Sequence, residues 1–387
     1  MIAHQLLAPR SALPARRTAT TPAPAAPAPS GSAPVAPAPS IRSAAALPAV
    51  LLAGTAAAGI SGPGLALPAV ARVLQVPVGT AAWLLTGYGL GLVVGTPLMS
   101  ALARRGGPAR MVRLGAVLVA LGAAVLLLAP PVLPALLAGR AVEAVGAAGL
   151  TLAAFRIAGR DRSGRAAGRV AVGNAVGGIV GLSVGALAAQ LLDWRAATVL
   201  PLLGLAVVPA ALRAARAGEA APAAPGRVLP LDLLRVPAFR RAAALMLLLA
   251  TVNFALVYGV PRRIAGLTGW APLPTALAVS GAALTGALLA TRVVRPGQRP
   301  AVLAAASLAA AAVAALAPWA APVAAGSLVS ALVTAGGQGR LTALAADTVP
   351  AERRGAAIGL FNLAFPLGVA AGPVLASVVD RTVQFIH

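Results

Sequence analysis

The chain has 387 residues, of which 59% are hydrophobic and only 10% charged, and its formal net charge is +23. A soluble protein of this size carries roughly a quarter charged residues, so the composition excludes a soluble enzyme and points to a protein that lives in a membrane. There is no cysteine, and the only histidines are His4 and His387, at the two termini, which removes disulfides and thiolate chemistry and argues against a buried metal site.

Residues 1–43 read as a cytoplasmic tail. Its Pro/Ala-rich core, Thr21 to Ser40, has nothing with which to build a core and is expected to be extended and disordered. Apolar stretches of about 20 residues, the length that crosses a bilayer, then follow one another. They are expected near 44–66, 80–102, 111–129, 132–155, 169–191, 196–215, 241–260, 273–291, 301–317, 321–345 and 356–379. The Pro/Gly-rich segment 216–240 divides them into an N-terminal bundle of six helices over 44–215 and a C-terminal bundle of about five over 241–387. Within that linker, Leu231 to Arg235 is expected to form a short interfacial helix, with Asp232 near its start.

The basic residues, all 31 of them arginine, test this register. With the tail inside, 24 arginines fall on inner segments and only Arg72, Arg195, Arg262, Arg263 and Arg381 on outer ones. That asymmetry is the positive-inside pattern. It accounts for the net charge without nucleic acid, for which 3% aromatic residues would offer no stacking surface. The expected location is the cell membrane, multi-pass, with a cytoplasmic N-terminus.

The stretch Gly139 to Arg156, GRAVEAVGAAGLTLAAFR, carries Arg140 and Glu143 inside the fourth span. Charge within a bilayer costs several kcal/mol and marks a cavity or pathway, and a spacing of three puts both residues on one helical face. Glu143 is the only acid deep in an expected span. Two readings stay open: Glu143 alternates between pairing with Arg140 and carrying a proton, or the pair is a permanent salt bridge that orders packing. Further polar residues within spans, Thr55, Tyr88, Asn174, Asn253, Tyr258, Gln338 and Asn362, are candidates to line a substrate cavity.

The halves repeat at an offset of 191. Asp161-Arg162-x-Gly164 matches Glu352-Arg353-x-Gly355, and Gly177 and Gly181 fall on Gly368 and Gly372. Parallel duplication is a signature of secondary transporters. At this offset the sixth span has no counterpart before His387, so the last helix is expected to be missing, leaving about eleven helices, through truncation or a frame error rather than as a designed eleven-helix protein, an alternative that stays open. The positions equivalent to Arg140 and Glu143 are Ala331 and Thr334, so the charge pair belongs to one half only.

The segment Leu65 to Arg105, with Leu67-Pro68, Trp83, Thr86, Tyr88 and Pro97, resembles the first-helix exit and second helix of the drug–proton antiporters of the major facilitator superfamily. Arg140-Ala-Val-Glu143-Ala-Val-Gly146 resembles that family's helix-four motif, with a carboxylate at its glutamine position. Gly177, Gly181 and Gly185 resemble the helix-five antiporter motif without its proline, while Gly368, Gly372 and Pro373 occupy the equivalent place in the second half. Arg104 stands where the family's loop after helix two has an aspartate. The resemblance implies an all-α membrane protein with a two-bundle fold and a parallel pseudo-repeat. It also implies a role for Arg140 near proton transfer, and for the glycines and Pro373 in helix packing and gating. The implied activity is proton-coupled efflux of small amphipathic solutes or drugs by alternating access. The alternatives are an uptake permease of the same fold or a truncated, non-transporting remnant. No enzymatic activity and no cofactor are expected; the partners are a small-molecule substrate, protons and the lipid bilayer, with the protein a monomer.

Overall fold

The computed structural model describes residues 46–158, 165–217, 230–294, 299–350 and 353–386. The tail over 1–43, residues 218–229 of the 216–240 linker, the repeated loop at Asp161–Gly164 and Glu352 lie outside the described residues, as does the side chain of Arg104. Every described element is helical. α1 (Ala46–Ser61) runs into a 3₁₀ turn, Gly62–Leu65, followed by α2 (Leu67–Leu74), α3 (Val78–Ala81), α4 (Trp83–Leu128), α5 (Leu133–Ala158) and α6 (Arg165–Leu191). A broken segment follows: α7 (Trp194–Thr198), a 3₁₀ stretch Leu200–Val207, and α8 (Val208–Arg216). After a 3₁₀ turn at Leu231–Arg235 come α9 (Pro237–Thr268), α10 (Pro272–Val293), α11 (Pro300–Leu316), α12 (Ala320–Asp347), α13 (Arg354–Phe361) and α14 (Ala364–Ile386).

Among the described residues, nine helical stretches are long and apolar enough to cross a membrane. Helices suit that environment because they satisfy every backbone polar group internally. Two of the eleven expected spans differ. The 196–215 segment is not one helix, because Pro201 and Pro209 lack the N–H groups that a continuous ladder needs. α11 is helical as expected but has only 17 residues, about 26 Å at 1.5 Å per residue, slightly short of a bilayer core of about 30 Å. The loop expected between 102 and 111 is also reduced. The helix of α4 is interrupted only at Gly107, whose φ of 67° suits glycine and which precedes Pro108. The expected interfacial helix at 231–235 is a single 3₁₀ turn, tied by Asp232 to Arg353 at 2.5 Å.

Packing runs along glycines, because helices in lipid associate through close backbone approach rather than a hydrophobic driving force. On α6, Gly177, Gly181 and Gly185 form one face against α1. A methyl group on Gly181 would lie 2.6 Å from the Ala58 carbonyl oxygen, and one on Gly177 or Gly185 would collide with the backbone of Gly54 or Gly62. In the second half, Gly368 and Gly372 of α14 press on α9 in the same way; a Cβ on Gly372 would stand 2.6 Å from that of Phe254.

The helices before residue 217 meet those after residue 230 along three lines. Tyr258 of α9 donates to the Ile60 carbonyl of α1 at 2.9 Å. Gly89 of α4 lies against the backbone of Ala370 in α14. Ser183 of α6 and Ser280 of α10 are hydrogen-bonded at 2.9 Å. All three contacts sit at or beyond mid-height toward the end that carries the 62–82 connection.

Gly177→Val is expected to cost about 1–3 kcal/mol through overpacking, read as a lower melting temperature of the purified protein in detergent. Gly281→Ala, which projects into open space, is expected to cause no loss.

Candidate functional site

Arg140 and Glu143 lie on a part of α5 that packs closely against α4. Gly122 of α4 leaves no room for a side chain, since its Cβ would fall 2.5 Å from the Glu143 nitrogen. Both charged side chains are fully buried, with 0% exposure. Nη1 of Arg140 donates to Oε2 of Glu143 at 2.5 Å and to the Thr198 carbonyl at 2.7 Å, and Nη2 donates to the Gly59 carbonyl at 2.6 Å. The Tyr88 ring lies against the guanidinium, 4.0 Å from Cζ to centroid, within the range of a cation–π contact.

The two carbonyls are available for a reason written in the sequence. In a helix, the Gly59 carbonyl would accept from the N–H of residue 63, but residue 63 is proline. The Thr198 carbonyl would accept from residue 201 in a 3₁₀ turn, and that residue is also proline; the next amide, Leu202, donates to Val199 instead. Inside lipid an unpaired carbonyl costs several kcal/mol, so freed carbonyls seek another donor. The guanidinium supplies it to both, tying α5 to the end of α1 and to the broken segment after α6.

Gly59 is constrained a second time. A Cβ there would lie 2.5 Å from both the Tyr88 hydroxyl oxygen and Pro201 Cγ. Tyr88 itself is fixed by donating to the Ala56 carbonyl at 2.9 Å. Arg140 is therefore held by four groups from four segments. Glu143 is held through one oxygen only: Oε1, like Nε of Arg140, is buried without a partner among the described residues.

The other residues singled out from the sequence do not converge on one place. Tyr88 and Tyr258 are packed away around the end of α1 rather than lining open space. Thr55 is half-buried and donates to the Leu51 carbonyl of its own helix at 2.9 Å. Asn174 is half-buried on α6. Asn253 accepts from Ser330 at 3.3 Å. Gln338 and Asn362 are exposed, Asn362 at the break between α13 and α14. At the position equivalent to Glu143, Thr334 donates to the Leu249 carbonyl of α9 at 3.3 Å. Each half thus buries a polar group of its fourth helix against its first, but only one half uses charge. Sequence reasoning missed Gly59 and Thr198; the signal was a proline four and three residues further on.

Residues 49–373 match the model of the Major Facilitator Superfamily. Over 199 residues the chain is 34% identical to a chloramphenicol resistance protein of Streptomyces lividans, an alignment that spans 49% of this chain and about half, 49%, of that protein. Among solved structures, a bacterial homolog of the human lysosomal transporter Spinster, in an inward-facing and unoccupied conformation, superposes with a TM-score of 0.66. It is 18% identical, over 86% of this chain and 81% of that one. A POT family transporter in complex with a thioalcohol-conjugated peptide gives 0.60 at 14% identity, over 86% and 90% of the two chains. At these identities the structural likeness speaks for the fold alone.

Arg140→Ala is expected to destabilise the protein by about 3–5 kcal/mol, because it leaves a buried carboxylate unpaired. Arg140→Met combined with Glu143→Leu is expected to cost clearly less than the sum of the single changes. Thermal unfolding of the three variants in one detergent checks both statements.

Proposed function

The chain belongs to the major facilitator superfamily and is a multi-pass membrane protein, and on that premise we propose that it exports a small amphipathic solute in exchange for protons. The observation that carries this reading is the unequal hold on the two buried charges. Arg140 keeps two carbonyls and an aromatic face whether or not Glu143 is ionised, so protonation of Glu143 would not strand the arginine. A carboxylate secured by one oxygen, with the other unpartnered, is the less firmly fixed member and the one suited to exchange a proton as access alternates.

In this proposal the bundles over 44–215 and 241–387 rock about the mid-membrane region, joined by the cytoplasmic linker 216–240, and a substrate cavity opens between them. The arginine distribution supports a cytoplasmic N-terminus in the cell membrane. With that orientation, the Tyr258–Ile60, Gly89–Ala370 and Ser183–Ser280 contacts lie on the outer side, an arrangement suited to a state that faces the cytoplasm. The glycine contacts of Gly177, Gly181, Gly185, Gly368 and Gly372, with Pro373, would keep the first and fifth helices of each half moving together. The partly covered relative, named for chloramphenicol resistance, supports drug-like amphipaths as the substrate class.

The test is transport of radiolabelled chloramphenicol in proteoliposomes under an imposed pH gradient. The wild-type protein is expected to move the label in response to the gradient, and Glu143→Gln to reduce gradient-driven transport to background while still purifying as a folded, monodisperse protein. Undiminished pH-driven transport by Glu143→Gln would sink the coupling role.

A further inference from the structure

Four helices are joined by hydroxyl groups at one level of the bundle. Tyr258 of α9 donates to the Ile60 carbonyl of α1 at 2.9 Å. The next residue of α1, Ser61, is buried and donates to the Gly178 carbonyl of α6. The next carbonyl of α6, at Ile179, accepts from Ser280 of α10 at 3.0 Å, and Ser280 in turn accepts from Ser183 at 2.9 Å. The links fall on neighbouring residues, 60 and 61 on one helix and 178 and 179 on the other. Together they form a belt that runs from α9 through α1 and α6 to α10.

The middle link lies within the α1–α6 pair, which the glycine contacts of Gly177, Gly181 and Gly185 already fix. The two end links cross between the sets, and at each a hydroxyl of the second set donates to a backbone carbonyl of the first. Ile179 stands in the middle of α6, where its carbonyl belongs to the helical ladder. A carbonyl oxygen has a second lone pair, and Ser280 uses it. Withdrawing Ser280 therefore breaks no ladder bond, so the link can part and re-form with α6 intact. Hydrogen bonds between helices in lipid are individually weak, each shifting an equilibrium by about 3- to 20-fold. Leu182 lies between the two crossings, 3% exposed, and it and Tyr258 both come within 4 Å of where a Cβ on Gly64 would stand.

We propose that Tyr258 and Ser280 form a two-point latch that sets how often the two sets of helices part at this end. Each hydroxyl holds a different helix of the second set to the same rigid α1–α6 pair, so both bonds must break before the seam over Leu182 opens. Because both are weak and neither belongs to a ladder, the closure is firm enough to persist and cheap enough to reverse. The latch rests on the alternating-access reading above and does not depend on what is carried or on proton coupling.

The experiment measures how fast a charged methanethiosulfonate labels Leu182→Cys in the full-length protein in detergent, with neither substrate nor pH gradient present. The chain has no cysteine of its own, so this thiol is the sole target, and its labelling rate follows the open fraction. Tyr258→Phe and Ser280→Ala are each expected to raise the rate about 3- to 20-fold, and the two together by about the product. Thr285→Ala, which removes a hydroxyl of α10 bonded within its own helix, is expected to leave the rate unchanged. Val112→Cys, fully buried in α4, reports unfolding and is expected to label at one slow rate in every background. A rate at Leu182→Cys that neither Tyr258→Phe nor Ser280→Ala changes would overturn the latch alone, as would equal acceleration at Val112→Cys. Labelling of Leu182→Cys no faster than that of Val112→Cys in every background would overturn the alternating-access reading and the latch with it.

Discussion

The need to satisfy backbone carbonyls where no water can reach them organises the centre of this molecule. Pro63 and Pro201 each withdraw an amide from a ladder, and the carbonyls they release, at Gly59 and Thr198, are taken by Arg140. An isolated arginine in this environment would be expensive. Here its cost is offset by two charge-assisted hydrogen bonds, an aromatic face and a carboxylate, while the prolines are tolerated because the arginine is present. The broken helix and the buried charge are therefore one arrangement, in which the carbonyls freed by the prolines are the acceptors of the arginine.

Glycine performs the complementary task. Gly122 lets α4 approach α5 at Glu143, Gly59 leaves room for Tyr88 and Pro201 beside the arginine's anchor, and Gly177 and Gly185 seat α6 on the backbone of α1. With few aromatic residues and no cysteine, the protein relies on fit. Side-chain bulk is concentrated in a few places, such as Phe254, whose ring meets that of Phe365 edge-on at 5.4 Å, where the second set of helices abuts the first.

Much of this fold is legible from sequence because spans of sufficient length and apolarity announce themselves, and because Arg140 and Glu143 share a helical face at a spacing of three. The partners of the pair are a different matter. Gly59 and Thr198 lie 81 and 58 residues from Arg140, and no periodicity links them; only the folded chain shows that two separate prolines prepare acceptors for the same side chain. The 196–215 segment misleads for the same reason. Its hydropathy is that of a span, but Pro201 and Pro209 deny it a continuous ladder. Among the polar residues, hydropathy identifies Tyr88 and Gln338 alike as exceptions in apolar surroundings. It does not say that one is sealed beneath a guanidinium and the other lies on the surface.

Three successive grips act on the last two turns of α1: Tyr88 on Ala56, Arg140 on Gly59 and Tyr258 on Ile60. The first two come from neighbours within the same set of helices, and the third reaches across from the other. The Tyr258 acceptor is the next peptide along from the one that secures Arg140. Any movement that parts the two sets at this end has to break the Tyr258 hydrogen bond, and the strand of load then ends one peptide unit from the arginine's anchor. The end of α1 is in that sense a mechanical fuse, where separation of the halves and the seating of the buried charge are registered on adjacent atoms of one short helix terminus.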